Sequence, residues 1–242
     1  MTIITWNCNM AFRKKASVIL RSKPDILVIQ ECEHPDKLGN AFGKQTPTSI
    51  LWFGDNNHKG LGIFSFNGFK LKTHTSHHTG IKLVIPVIVK KEAEKFMLFA
   101  IWAHNPADPD GQYITQVWKA VHHYKKLIRK KGTILTGDFN SNSIWDKPRR
   151  EGNHTTVVQL LKTKGIESSY HVHFNQQQGS EKHPTYYLYR HKDKSYHLDY
   201  CFASADFISR LNKVKIGSFA KWKKHSDHTP VITEFSPAEQ PK

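Results

Sequence analysis

The sequence predicts an α/β (α+β) fold of two packed sheets with helices on their outer faces. Three observations lead there. Strand-like runs rich in β-branched and aromatic residues recur along the whole chain. Several are apolar at every position, such as Ile26-Leu-Val-Ile29 and Phe96-Met-Leu-Phe-Ala-Ile-Trp102, which suits strands covered on both faces. Helical stripes are fewer, and helices placed outside two stacked sheets would bury such strands.

In chain order the expected strands begin with Ile3–Trp6, Ile26–Gln30, Ser49–Phe53, Gly62–Phe66 and Leu83–Val89. Phe96–Trp102, Thr133–Thr136, Thr185–Arg190, His197–Phe202 and Val231–Phe235 follow. Three helices are expected. Arg13–Arg21 carries Ala16, Ile19 and Leu20 on one side. Gln112–Lys131 places Ile114, Val117, Trp118, Val121 and Ile128 near a common face. Thr155–Lys164 carries Val157, Val158, Leu160 and Leu161, with Gly165 as its C-terminal stop. These stripes read as core contacts. The two halves of the chain look alike in outline, and no repeat or linker divides them. A single domain over residues 1–235 is expected, with 236–242 as a flexible tail.

Composition bounds the function. With 38% hydrophobic and 12% aromatic residues among 242, a real core is available and global disorder is excluded. No stretch approaches the roughly 20 apolar residues that cross a bilayer. Met1–Trp6 reads as a strand, not as a signal peptide. Three cysteines, Cys8, Cys32 and Cys201, show no paired spacing. That argues against a disulfide framework or zinc site and fits a cytoplasmic, reducing compartment. A net charge of +16 points to a polyanionic partner, nucleic acid before an anionic membrane.

The chemistry sits at strand ends. In Leu135-Thr-Gly-Asp-Phe-Asn140, Asp138 and Asn140 are two apart after an apolar strand, so both side chains can address one spot. A carboxylate can orient a water nucleophile, and an amide can bind phosphate without adding negative charge. Lys224-His-Ser-Asp-His-Thr-Pro230 sets Asp227 beside His228 just before the last apolar strand. A histidine there can work on a phosphate oxygen or leaving group. Glu31 ends a fully apolar strand, and a hard cation such as Mg²⁺ prefers carboxylate oxygens. Asn7 supplies an amide at the end of the first strand, and His104 ends Ile101-Trp-Ala-His104. Asp199 lies inside the apolar-aromatic run His197-Leu-Asp-Tyr200, where an unpaired carboxylate is costly. His228 is the partner expected to relieve that cost. Taken singly, each fragment also reads as a turn, a solvated strand end or surface decoration.

Taken in order, the fragments Trp6-Asn7, Gln30-Glu31, Ala103-His104, Gly137-Asp138-Phe139-Asn140, Leu198-Asp199-Tyr200 and Ser226-Asp227-His228-Thr-Pro230 span most of the chain. The ordered set resembles the endonuclease/exonuclease/phosphatase superfamily. That superfamily includes exonuclease III-like enzymes, deoxyribonuclease I, neutral sphingomyelinases and inositol-polyphosphate 5-phosphatases. The resemblance implies a four-layer αββα sandwich of two mostly antiparallel sheets, with the site at one edge. It implies Glu31 as the main Mg²⁺ ligand, Mn²⁺ being able to substitute, with Asn7 beside it and Asp227 sharing the ion. Asp138 would orient the attacking water, Asn140 would hold the phosphate, and His228, paired with Asp199, would act as acid, base or charge stabiliser.

Pro184-Thr-Tyr-Tyr-Leu-Tyr-Arg190 is similar to the Thr-Trp-Trp…Arg stretch of exonuclease III-like enzymes, with Tyr186 and Tyr187 in place of the tryptophans. Those tyrosines with Arg190 suit base stacking and phosphate contact, although core packing explains the tyrosines as well. Arg149, Arg150 and Lys224 extend a basic track near the site. His104 stands where the AP endonucleases usually carry tyrosine; it is similar instead to deoxyribonuclease I, the sphingomyelinases and the deadenylases. A monomeric DNA endo- or exonuclease without stable membrane association is therefore expected. A phosphatase or phosphodiesterase on small or lipid phosphoesters is the alternative, and a nucleic-acid-binding module without catalysis is the third reading.

Overall fold

The computed structural model describes residues 1–105, 107–108, 110 and 113–238. The strands of the first half are β1 (Thr2–Asn7), β2 (Ile26–Cys32), β3 (Ser49–Asn56), β4 (Lys59–Ser65), β5 (Lys70–Thr73), β6 (Val84–Lys91) and β7 (Glu94–Trp102). The second half holds β8 (Thr133–Asp138), β9 (Ile166–Ser168), β10 (Tyr186–Tyr187), β11 (Ser195–Tyr196), β12 (Asp199–Ser204), β13 (Leu211–Ile216) and β14 (Val231–Phe235). The helices are α1 (Ala16–Leu20), α2 (Ile114–His123), α3 (His154–Thr163), α4 (Ser169–Phe174), α5 (Ala205–Ile208) and α6 (Phe219–Trp222).

Two six-stranded sheets form, ordered β13-β14-β1-β2-β4-β3 and β5-β6-β7-β8-β12-β9. Each holds one parallel pair, β1 with β2 and β7 with β8, amid antiparallel neighbours. The continuously apolar strands explain the stacking. Alternate residues of one strand point to opposite faces. Ile26 and Val28 of β2 enter the core between the sheets, while Leu27 and Ile29 enter a second core. That second core also holds Phe12, Ala16, Ile19 and Trp222, from α1, α6 and the turn before α1. On the other sheet, Leu98 and Ala100 face inward while Phe99 and Ile101 meet Val117, Val121 and Val157 of α2 and α3. Helix, sheet, sheet and helix make the four expected layers.

Some elements differ from the sequence reading. Thr185–Arg190 is strand only at Tyr186–Tyr187, which pairs with the two-residue β11. Leu188–Arg190 then turns, with Tyr189 at φ 54° and Arg190 at φ 58°. The stretch expected as one helix from Arg13 is broken: Phe12–Lys14 is a 3₁₀ turn and Lys15, at φ −124°, interrupts it before α1. There the Lys15 ammonium folds back to donate to the carbonyls of Cys8 and Asn9 at 2.6 and 3.0 Å. The helix expected from Gln112 to Lys131 stops at His123, and Gln112 itself lies outside the described residues. Tyr124 follows in a non-helical conformation, its ring buried and its hydroxyl accepting from the His78 N–H at 3.1 Å. Of the expected tail, Ser236 is held by Arg210, and residues 239–242 lie outside the described residues.

Candidate active site

The two parallel pairs end at the same edge, and their ends carry the site. Asn7 closes β1 and Glu31 lies near the end of β2. Asp138 closes β8, and Asp199, which opens β12, sits directly opposite it in register. Two local departures from regular strand aim the side chains. A bulge falls between Gln30 and Cys32, with Glu31 itself at φ 57°. Bulges re-aim a side chain at a strand end, so Glu31 escapes strict alternation with Gln30, whose amide instead donates across the sheets to the Ile101 carbonyl at 2.9 Å. Asn140, at φ 46°, turns the chain after Asp138, and its backbone N–H donates to Asp138 Oδ1 at 2.8 Å.

A hydrogen-bonded array joins these groups. Asn7 Nδ2 donates to Asp138 Oδ2 at 3.1 Å and to Glu31 Oε1 at 3.4 Å. Asp199 Oδ2 pairs with His228 Nδ1 at 2.8 Å, and both side chains are buried. Ser226 Oγ donates to the Asn7 carbonyl at 2.8 Å and accepts from the His228 N–H at 3.0 Å. The Trp6 indole N–H donates to the His228 carbonyl at 3.1 Å, so β1 and the segment before β14 fix each other. The Asn140 amide donates to the Ala103 carbonyl at 3.3 Å, which seats it beside the end of β7. His104 stacks on Trp102 with ring centroids 4.9 Å apart.

Electrostatics follow from this crowding. Burial pushes the Asp138 carboxyl up to about 7, and the neighbouring Asp199 charge adds to the rise against His228 and the Asn7 and Asn140 hydrogen bonds. For His228, burial opposes the imidazolium, but the carboxylates of Asp199 and Asp138 outweigh it and push the ring up to about 10. Burial lowers the His104 pKa, and the Lys59 ammonium lowers it further.

Several participants escaped the sequence reading. Asn9 donates to Asp227 Oδ1 at 2.9 Å and its backbone N–H donates to Asn7 Oδ1 at 3.1 Å. Lys59 meets Glu31 at 3.4 Å. Thr185 Oγ1 accepts from the backbone N–H groups of Leu198 and Asp199 at 2.9 and 3.0 Å, holding the start of β12. Ser226 lay inside a noted motif, but its role as a clasp on Asn7 depends on a contact across the whole chain.

The expected substrate contacts scatter. The Tyr186 ring lies 4.7 Å from that of His228, and a backbone bridge joins the two residues. Tyr187 is buried with its ring against Phe219 at 4.6 Å, so packing occupies it. Arg190 and Lys224 are exposed, and Arg149 is exposed at φ 68°. The Arg150 guanidinium donates to Thr115 Oγ1 in a cleft it shares with Lys147 and Lys119.

The donor set fits a hard divalent cation. Glu31 and Asp138 meet Asn7, Asp227 meets Asn9 and Asp199 lies opposite Asp138, with Lys59 and His228 as the facing cations. Asp199 Oδ1 is buried without a hydrogen-bond partner among the described residues. Ligand atoms of Asp138, Asp199 and His228 lie within 4.8 Å of one another. His228, however, is cationic below about 10 and already committed to Asp199, so oxygen donors on the Glu31 side suit the ion better.

Fold and site together define a phosphoester hydrolase. The chain belongs to the Endonuclease/Exonuclease/phosphatase family, whose model matches residues 4–228. No curated protein sequence matches it significantly. Among solved structures, it is similar to the 3'-5' exonuclease NExo from Neisseria meningitidis, with TM-score 0.69 and 20% identity over 98% of this chain and 100% of that one. It is also similar to an AP endonuclease from Archaeoglobus fulgidus, with TM-score 0.71 and 16% identity over 98% and 100% of the two chains. A structure of the Neisseria 3' phosphatase NExo bound to product DNA hairpin aligns with TM-score 0.68 and 19% identity, covering 98% and 99%. At these identities the likeness is one of fold.

Proposed function

We propose that this protein is a Mg²⁺-dependent phosphodiesterase that hydrolyses nucleic-acid phosphodiester bonds, DNA first among them. The observation that carries the reading is the hydrogen-bonded array from Glu31 through Asn7 to Asp138, facing the Asp199–His228 pair at one sheet edge. The charge of +16 favours a polyanionic substrate over a small or lipid phosphoester, and the relatives named above that act on DNA agree with it.

Glu31, Asn7 and Asp227 would hold the ion, which supplies positive charge to phosphate and leaving oxygens. Asp138 orients a water and takes its proton, the task of a positioned carboxylate base. The Asn7 and Asn140 N–H contacts fix both oxygens of that carboxylate. With His228 Nδ1 held by Asp199, Nε2 is left to donate to phosphate as charge builds. Asn140 and His104 flank the phosphate from the ends of β8 and β7.

The test is turnover across supercoiled DNA, linear duplex, single strands, an abasic duplex, RNA, a 3'-phosphorylated end and sphingomyelin, each with Mg²⁺, Mn²⁺ or chelator. Metal-dependent cleavage of a nucleic-acid phosphodiester is expected. Turnover confined to sphingomyelin or a small phosphoester, or undiminished by chelator, overturns the reading.

A further inference from the structure

Resting on the nucleic-acid reading above, we infer that the cleft between the β3–β4 hairpin and the end of β7 is a binding site for one unstacked nucleobase next to the scissile phosphate. The cleft measures about 560 Å³ and is lined by Trp52, Phe53, Lys59, Lys82, Trp102 and His104. That volume lies within the range of small-ligand pockets and admits a nucleoside, not a duplex.

The cleft and the catalytic array share a wall. Lys59 meets Glu31 at 3.4 Å and places its ammonium 5.2 Å from the Trp102 ring centroid. His104, stacked on Trp102, lines the same cleft and follows β7 into the site. A strand whose phosphate lies at Glu31 and His104 therefore brings an adjoining base to these rings.

Trp52 is held in place on the aromatic wall, while Trp102 is buried beneath His104 and Lys59. Trp52 crosses two glycines: a Cβ added at Gly60 would stand 2.3 Å from the indole Cζ2, and one at Gly54 would stand 2.6 Å from Cη2. Any other residue at either position would push the ring away. The indole N–H donates to the Cys32 carbonyl at 3.1 Å, and His34 meets the ring edge-on at 4.9 Å between centroids. Despite this anchoring, Trp52 keeps part of its surface exposed. Holding an indole in place while leaving it partly open suits stacking, which any base offers through its π-face.

The rim carries charged pairs. Lys82 stands at it, paired with Asp55 at 2.7 Å, and Phe53 is backed by His77 at 5.4 Å between ring centroids. Ring faces with ammonium groups beside them match a base with phosphates on either side. Leu83, Ile85 and Ala107 also line the cleft, so it is Lys59 and Lys82, and the shared wall with Glu31, that favour a phosphate-linked base over an acyl chain. Bases in an intact duplex stack on each other, so the occupant comes from a single strand, an end or an extruded nucleotide.

The test uses full-length Asp138→Asn protein and short single-stranded oligonucleotides carrying one abasic spacer, moved position by position. Dissociation constants are measured by anisotropy. One or two spacer positions are expected to weaken binding about tenfold, the scale of one lost stack. Trp52→Leu, which keeps apolar volume but removes the ring, should weaken the unmodified oligonucleotide by the same factor and erase the dependence on spacer position. A uniform response to spacers, unchanged affinity in Trp52→Leu, or competition by sphingomyelin vesicles overturns the assignment. Cleavage of nucleic acid by the wild type with a uniform spacer response removes this pocket alone; no cleavage removes the functional reading with it.

Discussion

Replacing Gly137 with alanine tests how the site is built. Gly137 lies opposite Ile101 across the parallel β7–β8 pair, one residue before Asp138, at φ 153°. A Cβ there would stand 1.9 Å from the Ile101 carbonyl oxygen and 2.6 Å from its carbon. Ordinary carbon–oxygen contacts are about 3.3 Å or longer, so the strands must part by about 1.4 Å. Nothing flexible can yield, because the obstacle is backbone. Overpacking plus one strained ladder bond costs about 3 kcal/mol, which in a chain of this size lowers Tm by roughly 6–12 °C. The next rung, from the Ala103 N–H to the Asp138 carbonyl at 2.8 Å, ties the displacement to the Asp138 carboxylate. A misplacement of about 1 Å costs about 100-fold in rate. Urea unfolding followed by tryptophan fluorescence, with kcat/KM on a cleavable oligonucleotide, reads both effects. Stability within about 0.5 kcal/mol of wild type together with full turnover would show that this close approach does not position Asp138.

Glu31→Ala, Asp138→Asn and His228→Ala should each lower turnover at least 100-fold while circular dichroism stays unchanged, and a variant that keeps wild-type rates loses its assigned role. Chelation should silence the enzyme and Mg²⁺ should restore it; activity persisting through exhaustive chelation would remove the cation. Glu181 offers a test of stability away from the site. Although burial opposes its charge, hydrogen bonds from His171 and Asn142 win and hold its carboxyl at about 2, from 4.5. A depressed folded pKa stabilises above the unfolded value, and that stability is lost as pH falls from 4.5 through 2. After allowance for solvent at its rim, the loss is about 2 kcal/mol, seen as a fall in urea midpoint that Glu181→Gln does not show. Burial also pushes the Cys8 thiol up to about 12 and raises Cys32 and Cys201, so all three should resist a thiol reagent at pH 8 until the protein is denatured.

What could be read from the sequence follows the reach of its interactions. Ile26–Ile29 and Phe96–Trp102 were legible because strands buried on both faces carry an apolar run of their own. β5, β9, β11 and β13 were not. β5, β9 and β11 are short, and β5 and β13 alternate lysine with apolar residues at sheet edges, where charge guards against pairing with other chains. At the site, Asp138, Asn140, Asp227 and His228 announced themselves through neighbours in sequence. Lys59 did not, because its place beside Glu31 depends on the β2–β4 pairing and on a bulge that leaves no residue signature. Asn9 belongs with it: three successive residues of positive φ, Asn9, Met10 and Ala11, carry its amide to Asp227, and no periodic pattern marks such a turn.

The seat of β14 between β13 and β1 has a consequence for synthesis. The amide at position 7 and the histidine at position 228 brace each other through Ser226 and Trp6, residues from opposite ends of the sequence. While the chain is being translated, Glu31 and Asp138 exist without His228, and β1 lacks the neighbour that completes its sheet. The centre can close only after β14 has left the ribosome.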